Sequence, residues 1–328
     1  MNATYTPLEF RLLNEWQRGF PLVPAPFAAI AAELGSDEAT VISVLGALRE
    51  QGVVSRVGPV FAPRRVGAST LAALSAPPGR LDDVAAIVSA RPEVNHNYER
   101  EHHYNLWFVV TAADEATLAC TLDEIADSTG CAVISMPLVD EFHIDLGFDL
   151  CGGAKRPAAK CRAPVRAPDA GERLLMASLQ PGLPLVARPF QHIARETGSR
   201  EDHVIARIDA WLDEGMVKRF GVVVRHHELG YRANAMVVFD VPDDEVAEVG
   251  ARLAREPGVT LCYRRWRHEP EWRYNLFCMV HGRSRAEVAP VVERLSQVAG
   301  HRGEPLFSTR RFKQCGARYF PTSHAIAA

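Results

Sequence analysis

The sequence predicts an α+β protein built as a tandem duplicate. Each half reads as a winged helix-turn-helix followed by a ferredoxin-like β-α-β-β-α-β domain, and the two halves form a fused pseudo-dimer. Three observations carry this. The stretch LLNEWQRGFPLVPAPFAAIAAELGSDEATV returns as LLMASLQPGLPLVARPFQHIARETGSREDHV, with Pro21, Phe27, Ile30, Gly35, Ser36, Val41, Gly52, Gly58 and Gly67 repeated 163 positions on as Pro184, Phe190, Ile193, Gly198, Ser199, Val204, Gly215, Gly221 and Gly230. Between the copies runs DLCGGAKRPAAKCRAPVRAPDAGE, rich in Gly, Pro, Ala and basic residues and without apolar periodicity, which is the composition of a linker. Within each copy the hydrophobic period changes from helical to strand-like. The boundaries predicted are residues 1–66 and 171–229 for the helix-turn-helix modules, 67–148 and 230–328 for the ferredoxin-like domains, and 149–170 for the linker.

In the first copy Phe27, Ile30 and Ala31 give a helix one apolar face, Gly35-Ser36 breaks it, and Ser36 is placed to cap the next. Val41, Val44, Leu45 and Leu48 stand at i, i+3, i+4 and i+7, one face of a third helix. Gly52 stops that helix, and Val53–Val57 begins a short hairpin, the wing. Strands are then expected near Thr70–Ser75, Val94–Tyr98, Asn105–Thr111 and Val133–Phe142, with helices over Leu81–Arg91 and Glu115–Thr129. The second copy repeats this order from Ala235 to about Phe312. Alternation in this order favours a ferredoxin-like sandwich.

Composition narrows the function. The 328 residues are 47% hydrophobic and 23% charged, with no apolar run long enough to span a bilayer and no basic n-region ahead of an apolar stretch, so the chain reads as cytoplasmic. Seven cysteines, none spaced as C-x-x-C, read as reduced thiols rather than a zinc knuckle or redox pair. No dinucleotide fingerprint, Walker loop, nucleophile elbow or H-E-x-x-H is present, which argues against nucleotide cofactors, triad hydrolysis and zinc proteolysis.

The net charge of -3 hides an asymmetry. Residues 1–150 carry nine arginines and no lysine against twenty acidic residues, so the basic excess lies in the second half and points to that half's arginines as the main anion clamps. A DNA-reading helix must neutralise phosphates. The first candidate, Asp37–Glu50, has only Arg49 against Asp37, Glu38 and Glu50. The second, Arg200–Glu214, sets Arg200 and Arg207 against five carboxylates. DNA is therefore a disfavoured partner.

Chemistry concentrates in two related segments, NHNYEREHHYNLWFVV (Asn95–Val110) and LCYRRWRHEPEWRYNLFCMVH (Leu261–His281). Each sets Tyr, Arg and His at a strand end, turns, and enters a strand through Tyr-Asn-Leu. Aromatic faces beside guanidinium groups and imidazoles suit a flat polyanionic ligand that carries a metal.

The helix-turn-helix followed by β-α-β-β-α-β resembles the Lrp/AsnC regulators. Together with the fused copies, the motifs NHNYEREHHYNLWFV and CYRRWRHEPEWRYNLFCMVHG make the chain similar to the siroheme decarboxylases, in the fused two-subunit form of the heme d1 pathway. The resemblance covers nearly the whole chain except the linker. It implies non-oxidative loss of carbon dioxide from the acetates on rings C and D of siroheme, giving didecarboxysiroheme, with no cofactor beyond the iron tetrapyrrole substrate. It also implies His102, His281 and His96 as proton donors or carboxylate-positioning groups, one of them alternatively an axial iron ligand. Arg100 and its counterpart Arg265 would clamp carboxylates, helped by Arg267, Arg310 and Arg311, while Tyr98, Tyr263, Trp272 and Tyr274 would wall the macrocycle. The copies are unequal, because His96 aligns with Leu261 and His102 falls against an insertion of about five residues. A homologous decarboxylase chain and a further dimer of the pseudo-dimer are the protein partners the resemblance brings. A DNA-binding regulator of the Lrp/AsnC type is the alternative.

Overall fold

The computed structural model describes residues 5–144, 166–225 and 233–321. The first copy runs α1 (Pro7–Glu15), α2 (Pro26–Leu34), α3 (Glu38–Glu50), β1 (Val54–Phe61), α4 (Pro63–Val66), β2 (Ala68–Leu74), α5 (Leu81–Ala90), β3 (Val94–Arg100), β4 (Leu106–Ala112), α6 (Glu115–Thr129) and β5 (Val133–Ile144). The second runs α7 (Ala170–Leu179), α8 (Pro189–Glu196), α9 (Glu201–Asp213), β6 (Val217–Val224), β7 (Ala233–Phe239), α10 (Val246–Leu253), β8 (Val259–Arg265), β9 (Leu276–Gly282), α11 (Arg285–Ala299) and β10 (Glu304–Gln314). Most of the expected linker, Cys151, Cys161 and the wing histidines His226 and His227 lie outside the described residues. Among the described residues no helix is long and apolar enough to cross a membrane.

The chain divides into two compact units, each assembled from both copies: Met1–Gly67 with Gly147–Leu229 and Arg318–Ala328, and Ala68–Leu146 with Gly230–Ala317. The first holds the helix-turn-helix modules. Thr6 and Glu9 form a reciprocal capping box on α1, Gly35 ends α2 at a φ of 65°, and the Asp37 side chain caps α3. Among the described residues the short hairpin expected after Gly52 does not form: β1 pairs antiparallel with β6 of the other copy instead, placing Gly58 opposite Gly221. A Cβ on Gly221 would collide with the Trp16 carbonyl oxygen, so only glycine lets β6 pass this close to the Trp16–Gln17 backbone. The basic groups of α9 are already neutralised. Arg200 pairs with Asp202 at 2.7 Å, and Arg207 pairs with Glu172 and Glu214 at 2.7 and 2.9 Å.

In the second unit the two sandwiches close into one eight-stranded antiparallel barrel, in the order β10-β3-β4-β2-β5-β8-β9-β7. The reason is the edge strands. A single β-α-β-β-α-β sheet leaves its second and fourth strands with unpaired backbone groups. Here β5 pairs with β8 and β10 with β3, so each copy covers the other's edges. Strand alternation then divides the side chains. On β9, Leu276, Cys278 and Val280 pack beneath α10 and α11, whereas Phe277 and Met279 join Trp107, Met136, Met236, Trp272 and Leu306 inside the barrel. A matching outer core under α5 and α6 contains Val84, Val88, Phe108, Leu118 and Ile125.

Candidate active site

The inward-facing ends of these strands build the site. His281 on β9 lies directly opposite Asn234 on β7, and Arg100 on β3 lies opposite Ser308 on β10. Because Ala235 pairs with Phe307, Asn234 falls beside Ser308, and His281, Asn234, Ser308 and Arg100 form one row across four adjacent strands. The duplicate places Thr111, Ser69, Leu138 and Arg265 in the corresponding row, since Ser69 pairs with Thr111, Thr70 with Pro137, and Leu138 with Arg265. Two corners of the barrel therefore share an architecture but differ in chemistry.

Both arginines are held in the same way. Arg100 donates through Nη1 to the Leu306 carbonyl at 2.9 Å, and Arg265 donates through Nη1 to the Met136 carbonyl at 2.9 Å, so each ties down the last strand of the other copy. Each guanidinium lies over an aromatic ring: Arg100 is 5.9 Å from the Tyr98 centroid, and Arg265 is 4.9 Å from Tyr263. Among the described residues neither meets a carboxylate, and the buried Nε of each has no hydrogen-bond partner. Burial pushes the Arg100 guanidinium down to about 10, so it remains a cation at neutral pH, and it lowers Arg265 as well. Burial also raises the Tyr263 hydroxyl, which the two arginines partly offset.

His281 is pushed down to about 4, first by burial and then by the charge on Arg100, and its Nδ1 lies 2.6 Å from Asn234 Oδ1. His96, also on β3, lies nearly parallel to Tyr98 at 6.2 Å. Beyond Arg100, in the β3–β4 turn, His102 accepts the Tyr104 amide on Nδ1 and sets Nε2 3.9 Å from Glu304. Burial lowers its basicity, and Glu304 opposes that shift. Trp272 stands edge-on to His102 at 5.4 Å and to Trp107 at 5.0 Å, while the Tyr274 hydroxyl donates to Glu304. The buried Trp272 Nε1 has no partner among the described residues.

The structure thus brings His96, Tyr98, Arg100, Tyr263, Arg265 and His281 to the barrel lining, and His102, Trp272 and Tyr274 to one aromatic cluster. It does not bring Arg267 or Arg310 with them, whereas Arg311 stands opposite Tyr98 in the β10–β3 ladder. Arg267 is spent on Asp240, Asp243 and the carbonyls of Val241 and Arg273, on the wall of a pocket of about 280 Å3. Arg310 pairs with Glu99 and Asp82, and Arg311 is exposed and donates to Gln314. The bulge between Ser308 and Arg310 turns Arg310 outward, opposite Glu99, and sets Arg311 opposite Tyr98, on the inward-facing side of the strand. Among the described residues Arg267 and Arg310 of the second half are thus held by local carboxylates, and Arg100 and Arg265 are the two arginines buried in the barrel lining. A cleft of about 430 Å3 in the helix-turn-helix unit is lined by the mutually paired Arg166, Glu172, Arg207 and Glu214, so its charges are already matched. Sequence reasoning missed Asn234 and Ser308. Their only signal is register, since neither lies in a motif.

This fold and site define an AsnC-like barrel with two attached helix-turn-helix modules. The family described as AsnC-like ligand binding domain matches residues 65–143 and 228–313, and that described as Siroheme decarboxylase NirDL-like HTH domain matches 9–54 and 172–217. The chain is 46% identical to the siroheme decarboxylase NirDL subunit of Paracoccus denitrificans, over 96% of this chain and 98% of that one. It is 53% identical to the siroheme decarboxylase NirL subunit of Stutzerimonas stutzeri over 44% of this chain and 86% of that subunit. Among solved structures it resembles siroheme decarboxylase NirDL in complex with an iron-uroporphyrin III analogue, with a TM-score of 0.71, 29% identity, and coverage of 95% of this chain and 93% of the other. The chain belongs to the siroheme decarboxylase family, in its fused NirDL form.

Proposed function

We propose that this chain removes carbon dioxide from two acetate side chains of siroheme, those on rings C and D, at the Arg100 corner of the barrel. The observation that carries this reading is the pair of guanidiniums sunk in an aromatic lining without a carboxylate partner. A buried, uncompensated cation is costly. A polycarboxylate tetrapyrrole supplies the missing charge, and Tyr98 and Tyr263 supply faces for its ring.

In each turnover the bond between the acetate methylene and its carboxylate breaks. Carbon dioxide leaves, the electron pair stays on the methylene carbon and spreads into the macrocycle, and one proton then closes a methyl group. No electron passes to an external acceptor, so the step requires no nucleotide or redox cofactor beyond the iron tetrapyrrole itself. Arg100 orients a carboxylate through its spare Nε, His281 delivers the proton, and His102 positions the reacting side. In the empty barrel His281 is neutral. A bound carboxylate neutralises Arg100 and adds negative charge nearby, and both effects favour the imidazolium that the proton transfer requires.

The test is anaerobic incubation of the purified chain with siroheme, followed by product mass. Loss of one and then two carbon dioxide masses is expected. Intact siroheme, with no binding detected, would sink the reading and return attention to the regulator alternative, which demands steeply salt-dependent duplex binding.

A further inference from the structure

We infer that Asn234 is a positioning residue for this reaction: it fixes the tautomer and aim of His281. The inference rests on the decarboxylase reading, but the geometry that motivates it does not. Asn234 and His281 face each other across the β7–β9 ladder, one of seven consecutive register pairs from Ala233–Gly282 to Phe239–Leu276 without a bulge. The side chains therefore leave the same face of the sheet at a fixed separation, and the ring Nδ1 sits 2.6 Å from the amide oxygen. A carboxamide oxygen only accepts, so Nδ1 must carry the proton of that bond. Nε2 is then the free-electron-pair nitrogen of the neutral ring, the atom that takes up a proton and passes it on.

A second acceptor role follows for the charged ring. When Nε2 is protonated, the imidazolium keeps its Nδ1–H bond to the same oxygen, so the ring neither flips nor shifts as the proton arrives and leaves. Ser308 and Arg100 continue the row on the other side of Asn234, which places this support between the proton carrier and the carboxylate clamp. The duplicate gives the control. At the Arg265 corner the corresponding pair is Ser69 opposite Thr111, which has neither an imidazole to orient nor an amide to orient it. The amide and the imidazole are present together at one corner and absent together at the other.

The test uses the full chain with Asn234→Leu and Asn234→Asp. Ring-nitrogen NMR of the unliganded protein, with His281 assigned by difference from His281→Ala, is expected to show the Nδ1–H tautomer in the parent and in Asn234→Asp, and a mixture in Asn234→Leu. Decarboxylation by Asn234→Leu should fall about tenfold to a hundredfold in kcat, with the affinity for iron-uroporphyrin III unchanged, and Asn234→Asp should restore most of the rate. An Nε2–H tautomer in the parent would overturn the inference. So would Asn234→Leu turning over siroheme at the parental rate while His281→Ala is inactive. Should the parent chain leave siroheme intact, the decarboxylase reading fails by itself, while the tautomer result still decides whether Asn234 orients the ring. If Asn234→Leu does not fold, the parental tautomer and the Asn234→Asp rate decide the matter.

Discussion

The Arg100 and Arg265 corners of the barrel descend from one pattern and have come apart. Each keeps an arginine over a tyrosine, tied to a carbonyl of the other copy's final strand. Where the first has His281 and Asn234, the second has Thr111 and Ser69. Where the first has His96 on its arginine strand, the second has Leu261. The third candidate, His102, also follows Arg100, whereas the position two residues beyond Arg265 is Arg267, locked to Asp240 and Asp243. The arginine–tyrosine pair is thus duplicated and the imidazole–amide pair is not. A fused duplicate lets this happen because each strand position in one copy mutates without changing its counterpart, which separate identical subunits do not allow.

The largest effect should come from His281→Ala. Turnover is expected to fall by about a hundredfold to ten-thousandfold, the usual range for a positioned acid or base, while iron-uroporphyrin III still binds. The comparison adds a sharper demand: both decarboxylations should disappear together, with no monodecarboxylated product accumulating. A product that stops after one loss of carbon dioxide would mean that the Arg265 corner, or another acid, performs a step of its own.

Next is Arg100→Met, set beside Arg265→Met. Removing a charge-assisted hydrogen bond worth about 1.5–3 kcal/mol should weaken iron-uroporphyrin III binding by roughly ten- to a hundredfold at Arg100. The empty Arg100→Met protein should melt at an equal or higher temperature than its parent, because a buried cation without a counter-charge is gone. The loss at Arg265→Met should be smaller. Equal losses of affinity, read by titration calorimetry, would show both corners gripping one ligand and would erase the distinction.

How much of this was legible beforehand follows from what each feature depends on. The duplicate and the helix limits at Gly35, Gly130 and Gly300 depend on local sequence and stand where the residues put them, but the cap of α3 falls on Asp37, whose carboxylate accepts the Thr40 amide, and not on the expected Ser36 one residue earlier. The barrel depends on which edge finds which partner, and the local pattern of β3 or β5 does not name a partner in the other copy. The motif tyrosines and Arg100 and Arg265 reached the lining because strand alternation fixes their face. Arg310 lies beyond a bulge that no periodicity reveals, and Arg267 lies near two aspartates, Asp240 and Asp243, that are distant in sequence.

A third expectation concerns the empty protein and acid. Burial and Arg100 hold His281 far below the ordinary histidine value, to about 4, so in the folded chain it stays neutral where an unfolded chain would take a proton. The unfolded state therefore binds more protons between about pH 6.5 and 4, and folding stability falls as the pH drops through that window. The whole effect is roughly 3 kcal/mol from this group, with nothing lost above neutral pH. His281→Asn should flatten that part of the stability curve measured by urea unfolding. Thr111→Ala, at the matching place in the other corner, should leave its slope intact. If His281→Asn keeps the parental slope, then His281 does not have the buried, cation-facing environment that separates the two corners.

The smallest expected effects belong to Arg267→Gln and Arg310→Gln, and they test the comparison from outside. The family resemblance places both among the carboxylate clamps, yet their donors are already taken. Arg267 answers to Asp240, Asp243 and two carbonyls, and Arg310 to Glu99 and Asp82. A guanidinium bound to carboxylates must give up those partners before it can hold a new one, so little net affinity is available from it. Binding of iron-uroporphyrin III should stay within about threefold of the parent in both variants, an upper limit set by surface pairs worth at most a fraction of a kcal/mol. Arg267→Gln should lower the melting temperature slightly, because Asp240 and Asp243 lose their shared cation. A tenfold loss of affinity in either variant, with the fold intact by circular dichroism, would mean that ligand binding breaks these pairs and recruits the arginines. The ligand would then extend beyond the lining row, and the contrast between corners would have to be redrawn to include the carboxylates that now hold them.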